Sequence, residues 1–251
     1  FPTEAFIIIS DSDRSICFDD DYEEVCHGSL EFNERTLDFG ILKALYLVQV
    51  VPDKIIAASA KTTHVFKGRF DHATICNEDS TIVTNFESTI SIIELKEGGL
   101  EQKKTFSVKG EVSSLFSLSS EHIIIATWNS SPIIIINKET GDVVSELSSV
   151  DNIFTSICKM NNLIFFGSTT GTVLAVEIDE KFGINIKSTF TLSQSSVTVS
   201  RACMPNSVLV SGSVPVLIRY ENGKFDTFPV VSEPIKLSAL INNETIAMIQ
   251  E

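Results

Sequence analysis

A short β-branched run, a polar turn of small residues and a second β-branched run recur at least six times along this chain. The unit reads as two paired strands, because β-branched side chains are stiff at χ1 and suit a pleated surface, while the small polar residues between them let the chain reverse. The copies run from Ala5 to Phe18, Lys54 to Lys67, Ser80 to Leu95, His122 to Asn137, Asn162 to Ile178 and Ser207 to Glu221, and a seventh opens at Glu244. Successive copies start about 40 residues apart, with one long and one short interval.

An all-strand repeat of that length is the period of a β-propeller, in which each four-stranded blade buries its faces against its neighbours. Immunoglobulin-like sandwiches need longer units. Runs such as Ile123–Ile125 and Ile133–Ile136 are too short and too β-branched for amphipathic helices, so helical repeats are disfavoured. The expected architecture is therefore all-β: one β-propeller domain over residues 1–251 with WD-repeat-like four-stranded blades, six or seven by count and read as seven. The outer strands are expected in Lys103 to Leu118 and Ser188 to Thr198. The copy at Lys54 is followed too soon by the next, which predicts a degenerate or strand-poor blade there. The chain begins and ends inside a hairpin unit, which suggests a fragment of a larger multi-propeller chain.

The turns carry their own logic. Gly167–Gly171 (Gly-Ser-Thr-Thr-Gly) and Lys138–Asp142 (Lys-Glu-Thr-Gly-Asp) place glycine where positive φ is expected. The first could pass for a phosphate loop, but no Lys-Ser/Thr follows it and a strand follows where a helix would be needed. The net charge of −14 repels phosphate backbones, which excludes direct nucleic-acid binding as the main activity. The acidic clusters at Asp11, Asp13, Asp19 to Asp21, Glu23 and Glu24 read as solvated turns. Cys17, Cys26, Cys76, Cys158 and Cys203 are odd in number, widely spaced and without a C-x-x-C pair, which fits reduced thiols in an intracellular compartment. No run approaches the length needed to span a bilayer, so no membrane partner is expected. The sequons at Asn129 and Asn243 read as chance matches.

No catalytic signature is present: no H-E-x-x-H, G-x-S-x-G, Walker loop or kinase set. His27, His64, His72 and His122 lack metal-ligand spacing, and His122 reads as the residue that opens a strand. Asp11-Ser12-Asp13 resembles a metal-binding D-x-D, but it falls in a hairpin turn, where Asp is expected for its local hydrogen bonds. The chain therefore reads as a non-enzyme with no cofactor and no metal. Trp128, the single tryptophan, follows a strand and opens a turn. There it reads equally as an interface anchor on a rigid hairpin and as a blade-packing residue. Phe86, Phe165 and Phe166 read as core.

In order along the chain, Phe6–Ser10 (Phe-Ile-Ile-Ile-Ser), Tyr22–Val25 (Tyr-Glu-Glu-Val), Leu47–Val50 (Leu-Val-Gln-Val), Glu111–Leu115 (Glu-Val-Ser-Ser-Leu) and Val214–Tyr220 (Val-Pro-Val-Leu-Ile-Arg-Tyr) resemble the second propeller of a known family. This is the family of three-propeller proteins related to the large subunit of the damaged-DNA-binding complex. It includes the adaptor of cullin-RING ubiquitin ligases with its fungal heterochromatin relative, the propeller subunit of the branch-site splicing factor, and the largest subunit of the cleavage and polyadenylation factor. Ile125–Asn129 (Ile-Ala-Thr-Trp-Asn) is similar to the adaptor's strand that ends in a surface tryptophan.

The resemblance implies a nuclear, and also cytoplasmic, scaffold in DNA repair or chromatin regulation. Thr127, Trp128 and Asn129 would dock the amino-terminal region of a cullin, other ubiquitin-ligase components would join it, and other propellers of the same chain would hold substrate receptors. Two stretches depart from the adaptor. Leu47 to Asp53 is at least as similar to the splicing subunit, and Val214-Pro215 stands where the adaptor carries Arg-Pro, so a structural subunit of an mRNA-processing complex stays open.

Overall fold

The computed structural model describes residues 7–10, 13–18, 24, 28–128, 133–148, 152–201, 206–213, 215–230, 235–240 and 246–250. Among these there is no helix. A first hairpin pairs β1 (Ile7–Ser10) with β2 (Ser15–Phe18). Five four-stranded sheets follow, each wound in chain order. The first contains β3 (Asp38–Leu42), β4 (Tyr46–Val51), β5 (Lys54–Ala58) and β6 (Thr63–Lys67), and the second β7 (His72–Cys76), β8 (Thr81–Phe86), β9 (Thr89–Lys96) and β10 (Gly99–Ser107). The third contains β11 (Val112–Ser117), β12 (His122–Thr127), β13 (Ile133–Asn137) and β14 (Val143–Leu147). The fourth is β15 (Phe154–Met160), β16 (Leu163–Ser168), β17 (Thr172–Ile178) and β18 (Ile184–Thr191). The fifth is β19 (Thr198–Arg201), β20 (Ser207–Ser211), β21 (Val216–Glu221) and β22 (Lys224–Pro229), and a last hairpin pairs β23 (Ile235–Leu240) with β24 (Ile246–Gln250). Each four-stranded sheet has the antiparallel up-and-down order of a propeller blade.

Two compact units divide the chain. The first takes the strands up to β10 together with Ser117–Ile123 and Asn137–Gly141; the second takes Ser113–Phe116, Ile124–Ile136 and the chain from Asp142 onward. In the first unit β3 lies beside β7 and β6 beside β10, so whole sheets stack face to face. Val48, Val50, Ile55 and Ala57, alternate residues of β4 and β5, meet Ile82, Ile93 and Leu95 of the next sheet across a core that also takes Phe70. In the second unit β15 lies beside β19 and β19 beside β23. There Phe165, Val173 and Ala175 meet Val208, Val210 and Ile218.

Position within a sheet sets the burial pattern. The second and third strands are covered on both faces, so β12, β16 and β20 are buried along their whole length and read as continuous apolar runs. The fourth strands alternate, as Thr63–Lys67 does between exposed and half-buried side chains, because one face meets solvent.

Four sequence expectations need correction. The copy at Lys54 is not a degenerate blade: β5 and β6 are the last two strands of a full sheet, whose second strand is β4. Pro52 and Asp53 turn the chain between β4 and β5, and with β4 in place the second strands start at residues 46, 81, 122, 163 and 207. The stretches Lys103 to Leu118 and Ser188 to Thr198 hold the ends of two outer, fourth strands, β10 and β18, but each also reaches into the next sheet's first strand, taking in all of β11 and the first residue of β19. Gly167 lies in β16 without positive φ, unlike Gly171 (φ 80°) and Gly141 (φ 83°). It is glycine for room, since a Cβ there would sit 2.5 Å from Ser156 Oγ and 2.6 Å from the Val197 carbonyl. Finally, Phe86 is half-buried under the Arg69 guanidinium, 4.4 Å from its ring centre, whereas Phe165 and Phe166 are core.

Candidate protein-docking site

Four buried residues, Ile123 to Ala126, carry β12 to Thr127, which is 2% exposed, and Trp128 then emerges at 38% exposure. Trp128 is therefore a large apolar side chain half out of the protein, carried by a strand that cannot move without disturbing the core. Such an anchor loses little rotamer freedom on binding. Thr127 faces inward with its hydroxyl buried and, among the described residues, without a hydrogen-bond partner. It supports the tryptophan and offers no surface contact of its own. Asn129 lies outside the described residues.

The β16–β17 turn, the β18–β19 connection and the β20–β21 turn lie at the end of their sheets that corresponds to the Trp128 end of β12. Residues 168–172, 192–197 and 211–213 carry no charge and are rich in Ser and Thr. Thr170 donates to Asn152 Oδ1 at 2.6 Å, Ser195 to Ser213 Oγ at 3.1 Å, and the Val197 amide to the Ser168 carbonyl at 3.0 Å. At the opposite end, ion pairs join Lys187 to Glu177 and Arg219 to Glu221. The second unit is thus polarised along its strands, with a neutral hydrogen-bonding end and a charged end.

The histidines do not assemble. His64 stands beside the Tyr46 ring, His72 shares a hydrogen bond with Asn85 at 3.1 Å, His122 is buried at the start of β12, and His27 lies outside the described residues. Burial holds the His72 imidazole below its ordinary pKa, against the Asn85 hydrogen bond and the nearby Asp71 carboxylate. Asp11 and Ser12 lie outside the described residues, and Asp13 is exposed. Cys17, Cys76 and Cys158 are buried.

Sequence reasoning missed one surface in the first unit. Lys43 and Ala44 both have left-handed backbone, φ 53° and 51°, in the turn between β3 and β4. Leu45 follows at 63% exposure, and a cavity of about 430 Å³ opens among Leu45, Tyr46, Ser59, Ala60 and Lys61. Two successive non-glycine residues in the left-handed region are strained, and nothing in the residue types announces it.

No family model matches the chain, and no curated protein matches it.

Proposed function

We propose that this chain is a non-enzymatic scaffold whose Trp128 hairpin docks the amino-terminal region of a cullin within a cullin-RING E3 ubiquitin ligase. The observation that carries the reading is the exposed indole at the end of a fully buried strand. A protein-binding anchor needs that combination of reach and rigidity. The sheets support a seven-bladed propeller, five of whose blades are the four-stranded sheets, with the first and last hairpins belonging to the other two. The net charge of −14 suits a segment that holds proteins and leaves nucleic acid alone, and the proposed setting is the nucleus, with other propellers of a longer chain recruiting substrate receptors.

Affinity capture of the full-length parent, compared with its Trp128→Ala variant, tests this. A cullin and its RING partner that are recovered with the parent and lost with the variant support the reading. Splicing or polyadenylation subunits recovered equally with both would replace it with the second reading, a structural propeller of an mRNA-processing complex, which the Leu47 to Asp53 stretch favours.

A further inference from the structure

We propose that Asn222–Gly223 is a self-modifying site, the first asparagine of the folded chain to convert to aspartate and isoaspartate, with no enzyme required. The two residues form the turn between β21 and β22, closed by the Glu221–Lys224 pair. Both take left-handed backbone, φ 50° and 79°, as a two-residue hairpin turn that follows strand twist requires. Both are exposed.

In the reaction the Gly223 backbone nitrogen gives up its proton and attacks Asn222 Cγ. The new C–N bond closes a five-membered succinimide, and the Cγ–Nδ2 bond breaks, releasing ammonia. Water then opens either ring carbonyl, giving aspartate or isoaspartate, with no change of oxidation state. The step needs an unhindered nucleophile and a side-chain amide that is not held elsewhere. Glycine supplies the first, and a Cβ built at Gly223 would meet nothing within 4 Å, so the approach is open. Among the described residues, neither the Gly223 amide nor the Asn222 side chain makes a hydrogen bond.

Two other asparagines with left-handed backbone in the same unit lack these features. Asn161 (φ 55°) is followed by Asn162 and donates its side-chain amide to Asn206 Oδ1 at 2.7 Å. Asn206 (φ 56°) is followed by buried Ser207, and its carbonyl accepts the Tyr220 amide at 2.8 Å. In both, a side chain on the next residue crowds the attack and the amide is engaged.

The conversion reaches past the turn. Asn222 and Glu221 line a polar cavity of about 400 Å³ with Asn161, Asn206 and Tyr220, so the product places a second carboxylate beside Glu221. Isoaspartate also adds a methylene to the backbone, which a two-residue turn cannot absorb. Phe225, three residues on, packs against Tyr220 (4.6 Å), Phe190 (5.4 Å) and Phe165 (6.3 Å), so a shift at the turn loosens an aromatic cluster that reaches the core.

The test ages the whole 251-residue chain in mildly alkaline buffer, folded and in urea, with peptide mass mapping and isoaspartyl methyltransferase labelling. The expected result is a one-dalton gain in the folded chain at the Asn222 peptide ahead of every other asparagine, split between the two isomers. Labelling should fall to the background of the other sites in Asn222→Gln, which keeps the amide but forms the cyclic imide far more slowly. A folded chain in which another asparagine converts first overturns the proposal, as does one in which Asn222 stays intact while the urea-treated chain converts there.

Discussion

The Ser156 hydroxyl on β15 accepts the backbone N–H of Val199 on β19 at 3.1 Å, 43 residues further along the chain. The same device recurs within each unit. Asp38 Oδ2 on β3 accepts the Ile75 amide on β7 at 2.7 Å, and Thr74 Oγ1 on β7 accepts the Ser117 amide on β11 at 3.2 Å. Ser113 and Ser114 on β11 instead donate to the Phe154 carbonyl, at 2.6 and 3.2 Å. The first strands β3, β7, β11 and β15 are thereby each fastened to the next sheet's first strand by a polar side chain.

Ser156→Ala should therefore leave the Val199 amide buried and unpaired, lowering stability by about 1–3 kcal/mol. Gly167→Ala should cost a similar ~1–3 kcal/mol by overpacking, because its Cβ would press on Ser156 Oγ and the Val197 carbonyl. The pair should not add, since removing the Ser156 hydroxyl relieves one of the two clashes. Urea midpoints of the two single variants and the double variant check this.

Lys138, whose side chain is 5% exposed, reaches Asp79 at 2.7 Å and Thr81 Oγ1 at 3.4 Å. Burial pushes the Asp79 carboxyl upward, but hydrogen bonds from Lys138 and Thr81 outweigh it and hold the group below its ordinary value. Lys138→Met should lower stability by about 3 kcal/mol, because it strands a half-buried carboxylate. Lys138→Met with Asp79→Leu should recover part of that loss. Thermal denaturation at neutral pH distinguishes the two.

Asp38 titrates in the opposite sense. Burial raises its carboxyl to about 6, against the Ile75 and Phe39 amides that favour the charged form. The native state keeps this proton up to about pH 6, whereas the unfolded chain releases it near 3.8, so the native state binds more protons across that window. Stability from this group is full below the window and falls as pH rises through it. Asp79 and Glu31, both held low, contribute stability that is lost as pH falls below the ordinary carboxylate range. In Asp38→Asn the decline between pH 4 and 6 should be absent, which urea titrations across about pH 4–7 would show; an unchanged slope would sink the assignment.

The third and fourth sheets announced themselves through their middle strands, because Ile123–Ile125, Ile133–Ile136 and Leu163–Phe166 are buried on both faces and must be apolar throughout. The first strands were hidden. Asp38-Phe39-Gly40 and His72-Ala73 are half-buried and Thr74 is buried, and Asp38 and Thr74 bond to backbone some 40 residues away, which gives no local pattern. The Lys54 copy was read one strand late because Pro52-Asp53 is a compact turn inside an otherwise continuous run from Leu47 to Ala58. Trp128 was legible as a candidate because it is unique and ends a strand, but residue type could not decide its exposure. The Lys43-Ala44 turn was not legible, since neither residue favours the left-handed region.

The Thr84 hydroxyl is fully buried and has no hydrogen-bond partner among the described residues, on a strand whose Ile82 belongs to the first unit's core. An unpaired buried hydroxyl carries a desolvation penalty with nothing to offset it. Thr84→Val keeps the shape and should raise stability by up to about 1 kcal/mol. A loss of 1 kcal/mol or more in chemical denaturation would show that the hydroxyl is satisfied after all.

Thr127 and Trp128 separate support from contact within two residues. Thr127→Val, like Thr84→Val, removes an unpaired buried hydroxyl while keeping the strand filled, so it should preserve both folding and partner affinity. Trp128→Ala removes an indole that is 38% exposed, so its loss should fall mainly on binding: about 2 kcal/mol or more of affinity for the proposed partner, a cullin amino-terminal region. A tryptophan acting as core would instead cost roughly 3–5 kcal/mol of folding stability. Calorimetric titration with that cullin region, run beside thermal melts of each variant, reads both quantities. A Trp128→Ala protein that melts far below the parent while keeping its affinity would make the residue a packing element and remove the anchor from the docking proposal.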